Sequence, residues 1–287
     1  MASMDQIDAG GNINSRVEQD KLKLQDKAGH SLPNLTEKEF RSDVYKMNYP
    51  KRGVAVIINN RSFNSRTNMG ERAGTDVDAE SMHRLLNILG FEIIQRNNLT
   101  AEEMRLILQT VAAQDHTDNS CFVCIILTHG DEGYVFGTDR EVLFDDLVAP
   151  FKGNKCKSLA SKPKIFLVQA CKEPEFQEEA DTGMEVESEG ETIVQKIPTE
   201  ADFLVVYSIV PGSLSWRNKG NGSWFIQAIA EIFEKNYQTL DVMTMMTRVI
   251  KKVAKDFEQN AKTLFLERKR QIPCITSMLT KDVYFKS

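Results

Sequence analysis

Short apolar runs alternate with amphipathic stretches along most of the chain. The clearest runs are rich in valine and isoleucine and contain no charged residue, which is typical of strands buried on both faces of a parallel sheet. Six segments carry a strand pattern, at residues 54–58, 91–94, 122–127, 165–168, 203–208 and 275–279. Because helical patterns lie between most of them, we predict an α/β fold: a three-layer αβα sandwich around a mostly parallel six-stranded sheet.

The intervening stretches have the period of amphipathic helices. Two of them begin with a threonine that is followed three residues later by an acidic residue: Thr75 with Asp78, and Thr100 with Glu103. This spacing is typical of a capping box, so we predict a reciprocal side-chain cap at the start of both helices. Three further helices are predicted, near residues 144–151, from about Ser223, and along an apolar stripe that begins at Val242.

Composition and charge argue against several classes of protein. The apolar fraction of 41% is close to the globular average, so we expect most of the chain to fold. The net charge of -5 provides no basic field for nucleic acid. No stretch approaches the roughly 18 apolar residues of a membrane helix, and the N-terminus lacks the features of a signal peptide. We therefore expect a cytoplasmic or nuclear protein that binds neither nucleic acid nor membrane.

The five cysteines are scattered and odd in number, so we expect a reducing compartment that keeps them as thiols. Cys121 and Cys124 have the Cys-x-x-Cys spacing of some metal and redox sites. They lie in a predicted strand, however, where residues three apart point to opposite faces. We predict that both pack in the core, and we expect neither a metal nor a cofactor.

Two regions break the pattern of strands and helices. Residues 1–45 are polar without a sustained period, which favours a disordered leader. From Glu173 to Glu191 the chain is crowded with acidic residues, Asp181 among them, and contains no lysine or arginine. Such a segment cannot bury enough surface to fold alone. We divide the chain into a leader at 1–45, a first and larger part of the domain at 46–181, an acidic linker at 182–196 and a second, smaller part of the same domain at 197–287.

Two of the predicted strands end in residues that can act together in catalysis. One leads into His129 and Gly130, and the other leads into Gln169, Ala170 and Cys171. The carboxyl ends of parallel strands line a common crevice. Cys171 can therefore act as a nucleophile with His129 as its acid/base, while the backbone N–H groups of Gly130 and Cys171 bind the oxyanion. The alternative is a buried structural thiol and a strand-end histidine.

The sequence around these residues favours the enzyme. Cys171 follows Gln-Ala, and His129 precedes it by a stretch similar in length to that of one cysteine-protease signature. Further stretches carry the same likeness: RAGTD at 72–76, KIPTEADF at 196–203, SWRN at 215–218, GSWF at 222–225 and QIPC at 271–274. From about Tyr49 to its end, the chain resembles a caspase, and most closely an executioner caspase.

This resemblance implies a pocket for an aspartate side chain, formed by Arg72, Gln169 and Arg217. Two guanidinium groups can hold one carboxylate through bidentate, charge-assisted hydrogen bonds, so asparagine substrates should fail. The resemblance also implies neighbouring substrate pockets, whose expected residues are Ser215, Trp216, Asn218 and Trp224. For Trp224, the alternative is a place in the buried core.

The resemblance further implies a zymogen that acts in apoptosis. Asp181, in the acidic linker, and Asp8, in the leader, each precede small residues, so we expect cleavage after both. Cleavage after Asp181 would separate a large from a small subunit. The implied partners are protein substrates with aspartate before the cut and a second large and small subunit pair in a homodimer, joined near residues 275–279. Initiator caspases and inhibitor proteins are further candidate partners.

Other functions remain open at the level of sequence. Lys172 and Glu173 stand where caspases usually carry Arg-Gly, so the chain could be a pseudoprotease that dimerises with active relatives or acts as a decoy. A metacaspase-like enzyme would cleave after basic residues and would need acidic groups in place of Arg72 and Arg217. A nucleotide-binding module is disfavoured because no glycine-rich phosphate loop follows the first strand.

Overall fold

A computed structural model describes residues 41–131, 133–171, 201–208, 217–218, 222–264 and 272–286, together with Thr36 and Glu39. The strands in these ranges are β1 (Lys51–Asn59), β2 (Glu92–Asn97), β3 (Asn119–Asp131), β4 (Tyr134–Phe136), β5 (Glu141–Leu143), β6 (Lys164–Cys171), β7 (Phe203–Tyr207), β8 (Arg217–Asn218), β9 (Gly222–Ser223) and β10 (Cys274–Ser277). The α-helices are α1 (Thr75–Ile88), α2 (Ala101–Ala112), α3 (Phe144–Val148), α4 (Trp224–Asn236) and α5 (Val242–Leu264).

Six strands form the central sheet in the order β10-β7-β6-β3-β1-β2. All neighbours on this path pair in parallel except β10, which runs antiparallel to β7. The short strands β4 and β5 extend from the end of β3 as an antiparallel meander. The prediction of a mostly parallel six-stranded sheet is confirmed.

Two hydrophobic cores lie on opposite faces of this sheet. One is closed by α1, α4 and α5, and the other by α2 and α3. Successive residues of a strand alternate between the cores, because side chains of a pleated strand point alternately to either face. Cys121 contributes to the first core and Cys124 to the second, as predicted from their spacing. The three-layer αβα architecture is confirmed.

The predicted capping box at Thr100 and Glu103 is present at the start of α2. The Thr100 hydroxyl accepts from the Glu103 N–H at 3.3 Å, and the Glu103 carboxylate accepts from the Thr100 N–H at 2.8 Å. The corresponding prediction at Thr75 and Asp78 is wrong. Helix α1 begins one residue earlier than predicted, after Gly74, and has no side-chain cap. Both side chains are bonded to other parts of the molecule instead.

The folded region begins before residue 46, the boundary that the polar pattern predicted. Val44 forms a β-bridge with Asp282, and the Tyr45 side chain is buried in the core. The Tyr45 hydroxyl donates to the Asp202 carboxylate at 2.6 Å. Long-range contacts, to which a local sequence pattern is blind, therefore place the end of the predicted leader on the domain. Within the described ranges, we find no helix long and apolar enough to cross a membrane.

The interior of the second core gives a first testable prediction. Phe166 on β6 is fully buried, and its ring lies 5.8 to 6.1 Å, between centroids, from four other rings: Phe122, Phe144, Phe151 and Phe203. We expect Phe166→Ala to lower the free energy of unfolding by about 3–5 kcal/mol, because it removes a large apolar side chain and leaves a cavity. Urea denaturation followed by circular dichroism measures the change.

Leu106→Ala is the control for this measurement. Leu106 is 59% exposed on α2, so its truncation should change the free energy of unfolding by no more than about 0.5 kcal/mol. A loss below about 1.5 kcal/mol for Phe166→Ala would contradict the close packing of this core.

Candidate active site

The carboxyl ends of β3 and β6 bring His129 and Cys171 together. These strands pair in parallel register, in which the Cα atoms of His129 and Cys171 are direct partners. Neighbouring strands lie about 4.8 Å apart, and side chains at paired positions extend from the same face of a sheet. The backbone register therefore makes Cys171 and His129 direct neighbours at the ends of two adjacent strands.

A backbone carbonyl orients the imidazole of His129. The ring is buried, and its Nε2 lies 2.9 Å from the carbonyl oxygen of Gly70. A carbonyl oxygen can only accept a hydrogen bond, so we assign the proton to Nε2 and the lone pair to Nδ1. The ring of Phe63 packs at a tilt against the imidazole, with 4.7 Å between centroids. Together these contacts set both the tautomer and the plane of the histidine.

The contact with Gly70 could not be predicted from sequence. Every residue carries a carbonyl, so residue type provides no signal for this role. The histidine needs such an acceptor to present a basic Nδ1, but only the fold shows which segment provides it.

Gly130 lies where two chain segments approach most closely. A Cβ atom at this position would lie 2.9 Å from both the Ala170 Cβ and the Tyr134 carbonyl oxygen. These distances are shorter than normal contacts, so a larger residue would push β3 away from β6 or from β4. Glycine here keeps the backbone N–H beside the strand ends that carry His129 and Cys171.

The guanidinium of Arg72 is buried beside the end of β6. Its Nη1 donates to the Thr75 hydroxyl at 2.7 Å and to the Asn60 carbonyl at 3.3 Å, and its Nη2 donates to the Gln169 carbonyl at 3.4 Å. These three acceptors are neutral oxygens. The Gln169 side chain is also fully buried. The structure thus places Arg72 beside Gln169, which lies two residues before Cys171 on β6.

A chain of hydrogen bonds connects Arg72 to the polar side chains at the end of β1 and the start of α1. The Thr75 hydroxyl, which accepts from Arg72, donates to the Asn59 side-chain oxygen at 2.8 Å. The Asn59 amide in turn donates to the Asp76 carboxylate at 2.8 Å, and that carboxylate forms an ion pair with Arg61 at 2.7 Å. Thr75 and Asn59 were missed as site residues by sequence reasoning. The sequence analysis included Thr75 in a capping pattern and in the stretch at 72–76, but assigned it no role in the site.

Arg217 and Asn218 form strand β8, which pairs with β9 in a two-stranded antiparallel ribbon. Arg217 is the partner of Ser223, and Asn218 is the partner of Gly222. Trp224 follows the ribbon directly as the first residue of α4. It is partly exposed, so it does not have the fully buried core position that was the alternative to a pocket wall. Six predicted positions lie outside the described residues: Asp8, Lys172, Glu173, Asp181, Ser215 and Trp216.

The thiols of β3 differ from a nucleophile in their environment. Cys121 and Cys124 are completely buried. Burial raises the pKa of the Cys121 thiol to about 12 and raises the pKa of Cys124 as well, because a thiolate there would lose its hydration. Both stay protonated and serve as core residues. Among the described residues, we find no cluster of histidine, cysteine and acidic side chains that could hold a metal ion.

Comparison with known proteins agrees with this geometry. Residues 52–284 match the model of the caspase domain family. The chain is 42% identical to caspase-3 of Bos taurus over 277 residues, which cover 96% of this chain and 99% of that protein. It is 42% identical to caspase-3 of Mus musculus over 258 residues, 89% of this chain and 92% of the relative. It is 43% identical to caspase-7 of Gallus gallus over 248 residues, 84% of this chain and 79% of the relative.

The family match spans the whole sheet from β1 to β10 and includes both strand ends described above. Identity to each of these relatives extends over most of the chain. The chain therefore belongs to the caspase family of cysteine endopeptidases.

Proposed function

We propose that this chain is an executioner-type caspase zymogen that acts in apoptosis and cleaves proteins after aspartate. The observation that carries the aspartate specificity is the buried guanidinium of Arg72, held by neutral oxygens beside the end of β6. A fixed, buried cation next to β6, the strand that ends at Cys171, favours an anionic group on the substrate residue that precedes the cut.

In the proposed reaction, His129 Nδ1 takes the proton of the Cys171 thiol. The sulfur then forms a bond with the carbonyl carbon of the substrate, and the electron pair of the C=O bond moves to the oxygen. The N–H groups of Gly130 and Cys171 bind this oxyanion. When the tetrahedral intermediate collapses, the C–N bond breaks and the imidazolium gives its proton to the leaving amine. Water, activated by the same imidazole, then hydrolyses the thioester.

We propose that Arg72, Gln169 and Arg217 read the aspartate. Two guanidinium groups can bind both carboxylate oxygens, while the amide of Gln169 adds a neutral donor. An asparagine side chain is neutral and cannot form these charge-assisted bonds, so it should bind much more weakly. Ser215, Trp216, Asn218 and Trp224 are proposed to line the neighbouring substrate pockets. The partly exposed position of Trp224 at the end of the ribbon supports this role.

We also propose a homodimer of processed subunit pairs, joined through β10. This strand pairs with β7 on one side and is the last strand on the path of the central sheet through the described residues. An edge strand of this kind presents backbone donors and acceptors that a second copy can pair with. The free thiols of Cys121, Cys124, Cys156 and Cys274 support a cytoplasmic location, where thiols stay reduced.

The proposed specificity predicts selective labelling of Cys171. We expect a thiol-reactive peptide that ends in aspartate to label Cys171 of the processed protein at least about 1,000-fold faster than the same peptide ending in asparagine, because only the carboxylate pairs with the two arginines. Mass spectrometry locates the adduct. Cys171→Ala should abolish labelling. Cys124→Ala should retain it, since that thiol is enclosed in the core.

The same labelling separates the enzyme from the pseudoprotease. An adduct on wild-type Cys171 supports the enzyme. Failure of the wild-type protein to react, with labelling restored by Glu173→Gly, would support a pseudoprotease in which Glu173 impairs the nucleophile. Equal rates with the two peptides would contradict the aspartate pocket.

Activation by cleavage is a separate prediction. An active caspase should cut the chain after Asp181 and after Asp8, since small residues follow both in polar segments. N-terminal sequencing of the fragments identifies the cuts. Asp181→Ala should block separation of the two subunits while cleavage after Asp8 continues. Fragments that begin elsewhere would contradict the proposed processing.

Thr75 and Thr100, each followed three residues later by an acidic residue, provide a matched test of the Arg72 environment. We expect Thr75→Val to lower kcat/KM for an aspartyl peptide by at least about tenfold, because the shape of the side chain is kept while its bonds to Arg72 and Asn59 are lost. Thr100→Val should leave kcat/KM unchanged while costing about 1 kcal/mol of stability through the lost cap. Steady-state kinetics and urea denaturation measure the two effects. The same kinetic constants in both variants would contradict the role of Thr75.

A further inference from the structure

The ribbon that carries Arg217 is attached to the first turn of α1 by a buried carboxylate. The backbone N–H of Ser223 on β9 donates to Asp78 Oδ1 at 2.7 Å, and the Asp78 side chain is 1% exposed. A short, charge-assisted hydrogen bond in a buried place is among the stronger polar contacts a protein makes. It joins two segments that are far apart in the sequence.

Asp78 also completes the cap of helix α4. The Ser223 hydroxyl accepts from the Ile226 N–H at 3.3 Å, which is one half of a capping box. The other half would be an acidic or amide side chain at position 226 that binds the Ser223 N–H, and isoleucine cannot provide it. Asp78 supplies this missing half from a different helix. This explains why the carboxylate is buried and why it does not cap its own helix.

The adjacent glycine fits closely against the same carboxylate. Gly222 has a φ of 80°, in the left-handed region that favours glycine. A Cβ atom on Gly222 would overlap Asp78 Oδ1. Both residues of β9 thus lie against Asp78. Ser223 donates its N–H to the carboxylate, and Gly222 has no side chain, which leaves room for it.

The pairing of the ribbon transmits this attachment to Arg217. Ser223 is the direct partner of Arg217, and Gly222 is the partner of Asn218, so the position of β9 sets the backbone of β8. The same turn of α1 carries Thr75, which binds the guanidinium of Arg72. The first turn of α1 is therefore connected to both arginines of the proposed aspartate pocket: directly to Arg72, and through the ribbon to Arg217.

We propose that Asp78 is a positioning residue for substrate recognition, which holds the Arg217 strand at a set distance from Arg72. This inference rests on the proposed function, since it assigns Arg217 to the aspartate pocket. Asp78 does not touch the substrate. It acts through Ser223 and the ribbon, and its removal should weaken recognition of aspartate without disturbing the pair formed by His129 and Cys171.

The test compares two reagents on the processed full chain. Iodoacetamide reports on the nucleophile alone, whereas a thiol-reactive peptide ending in aspartate reports on the nucleophile and the pocket together. In Asp78→Ala, we expect the labelling rate of Cys171 by the aspartyl peptide to fall at least about tenfold, because a displaced ribbon misplaces Arg217. The rate with iodoacetamide should stay within about twofold of wild type, because β3 and β6 are paired independently of the ribbon.

Two variants on the same helix complete the comparison. Asp78→Asn keeps an oxygen that can accept from Ser223, so it should restore the aspartyl rate to within about threefold of wild type. Glu80→Ala removes an exposed carboxylate two residues further along α1 and should change neither rate. Should Asp78→Ala fail to fold, Gly222→Ala tests the same contact, and it should lower the aspartyl rate selectively.

The outcomes are distinguishable. An equal fall of both rates would indicate a purely structural role and overturn the inference. An unchanged aspartyl rate in Asp78→Ala, or in Gly222→Ala where the first variant does not fold, would overturn it as well. A wild-type protein that does not prefer the aspartyl over the asparaginyl peptide would overturn the proposed function, and this inference with it.

Discussion

The site depends on the register between β3 and β6. Both strands run through the middle of the sheet and contribute alternate side chains to two separate cores. A slip of one residue would move Phe166 and Leu167 to the wrong faces, so packing on both sides excludes it. The register that results makes His129 and Cys171 direct partners. The packing of the two hydrophobic cores thus sets the register that makes His129 and Cys171 neighbours.

The second constraint is the burial of charge at the carboxyl edge of the sheet. Arg72 and Asp78 lie close in sequence, on either side of the start of α1, and both side chains are buried. Buried charges require hydrogen-bond partners. Some of these partners come from distant segments: the Gln169 carbonyl accepts from the arginine, and the Ser223 N–H donates to the aspartate. The start of α1 therefore connects β6 with the ribbon of β8 and β9. This arrangement links the stability of the domain to the shape of the proposed aspartate pocket.

Two similar patterns in the sequence, each a threonine followed three residues later by an acidic residue, form different hydrogen bonds because their surroundings differ. Thr100 and Glu103 lie at an exposed helix start, where the nearest partner for each is the other, and they form the predicted cap. Thr75 and Asp78 lie at a buried helix start, where Asn59, Arg72 and Ser223 offer stronger partners. Local spacing predicts local bonds well only where no distant group competes for the same side chains.

The alternation of apolar runs and amphipathic stretches was sufficient to predict the sheet, the layers on its faces and the two strand ends that carry His129 and Cys171. These features follow from the periodicity of burial, which the spacing of apolar residues in the sequence shows directly. The orienting carbonyl of Gly70, the bonds of Thr75 to Arg72 and Asn59, and the attachment of the ribbon through Asp78 could not be predicted in this way. They join groups far apart in sequence, or use backbone atoms that every residue carries. Such contacts exist only after the cores have brought the segments together.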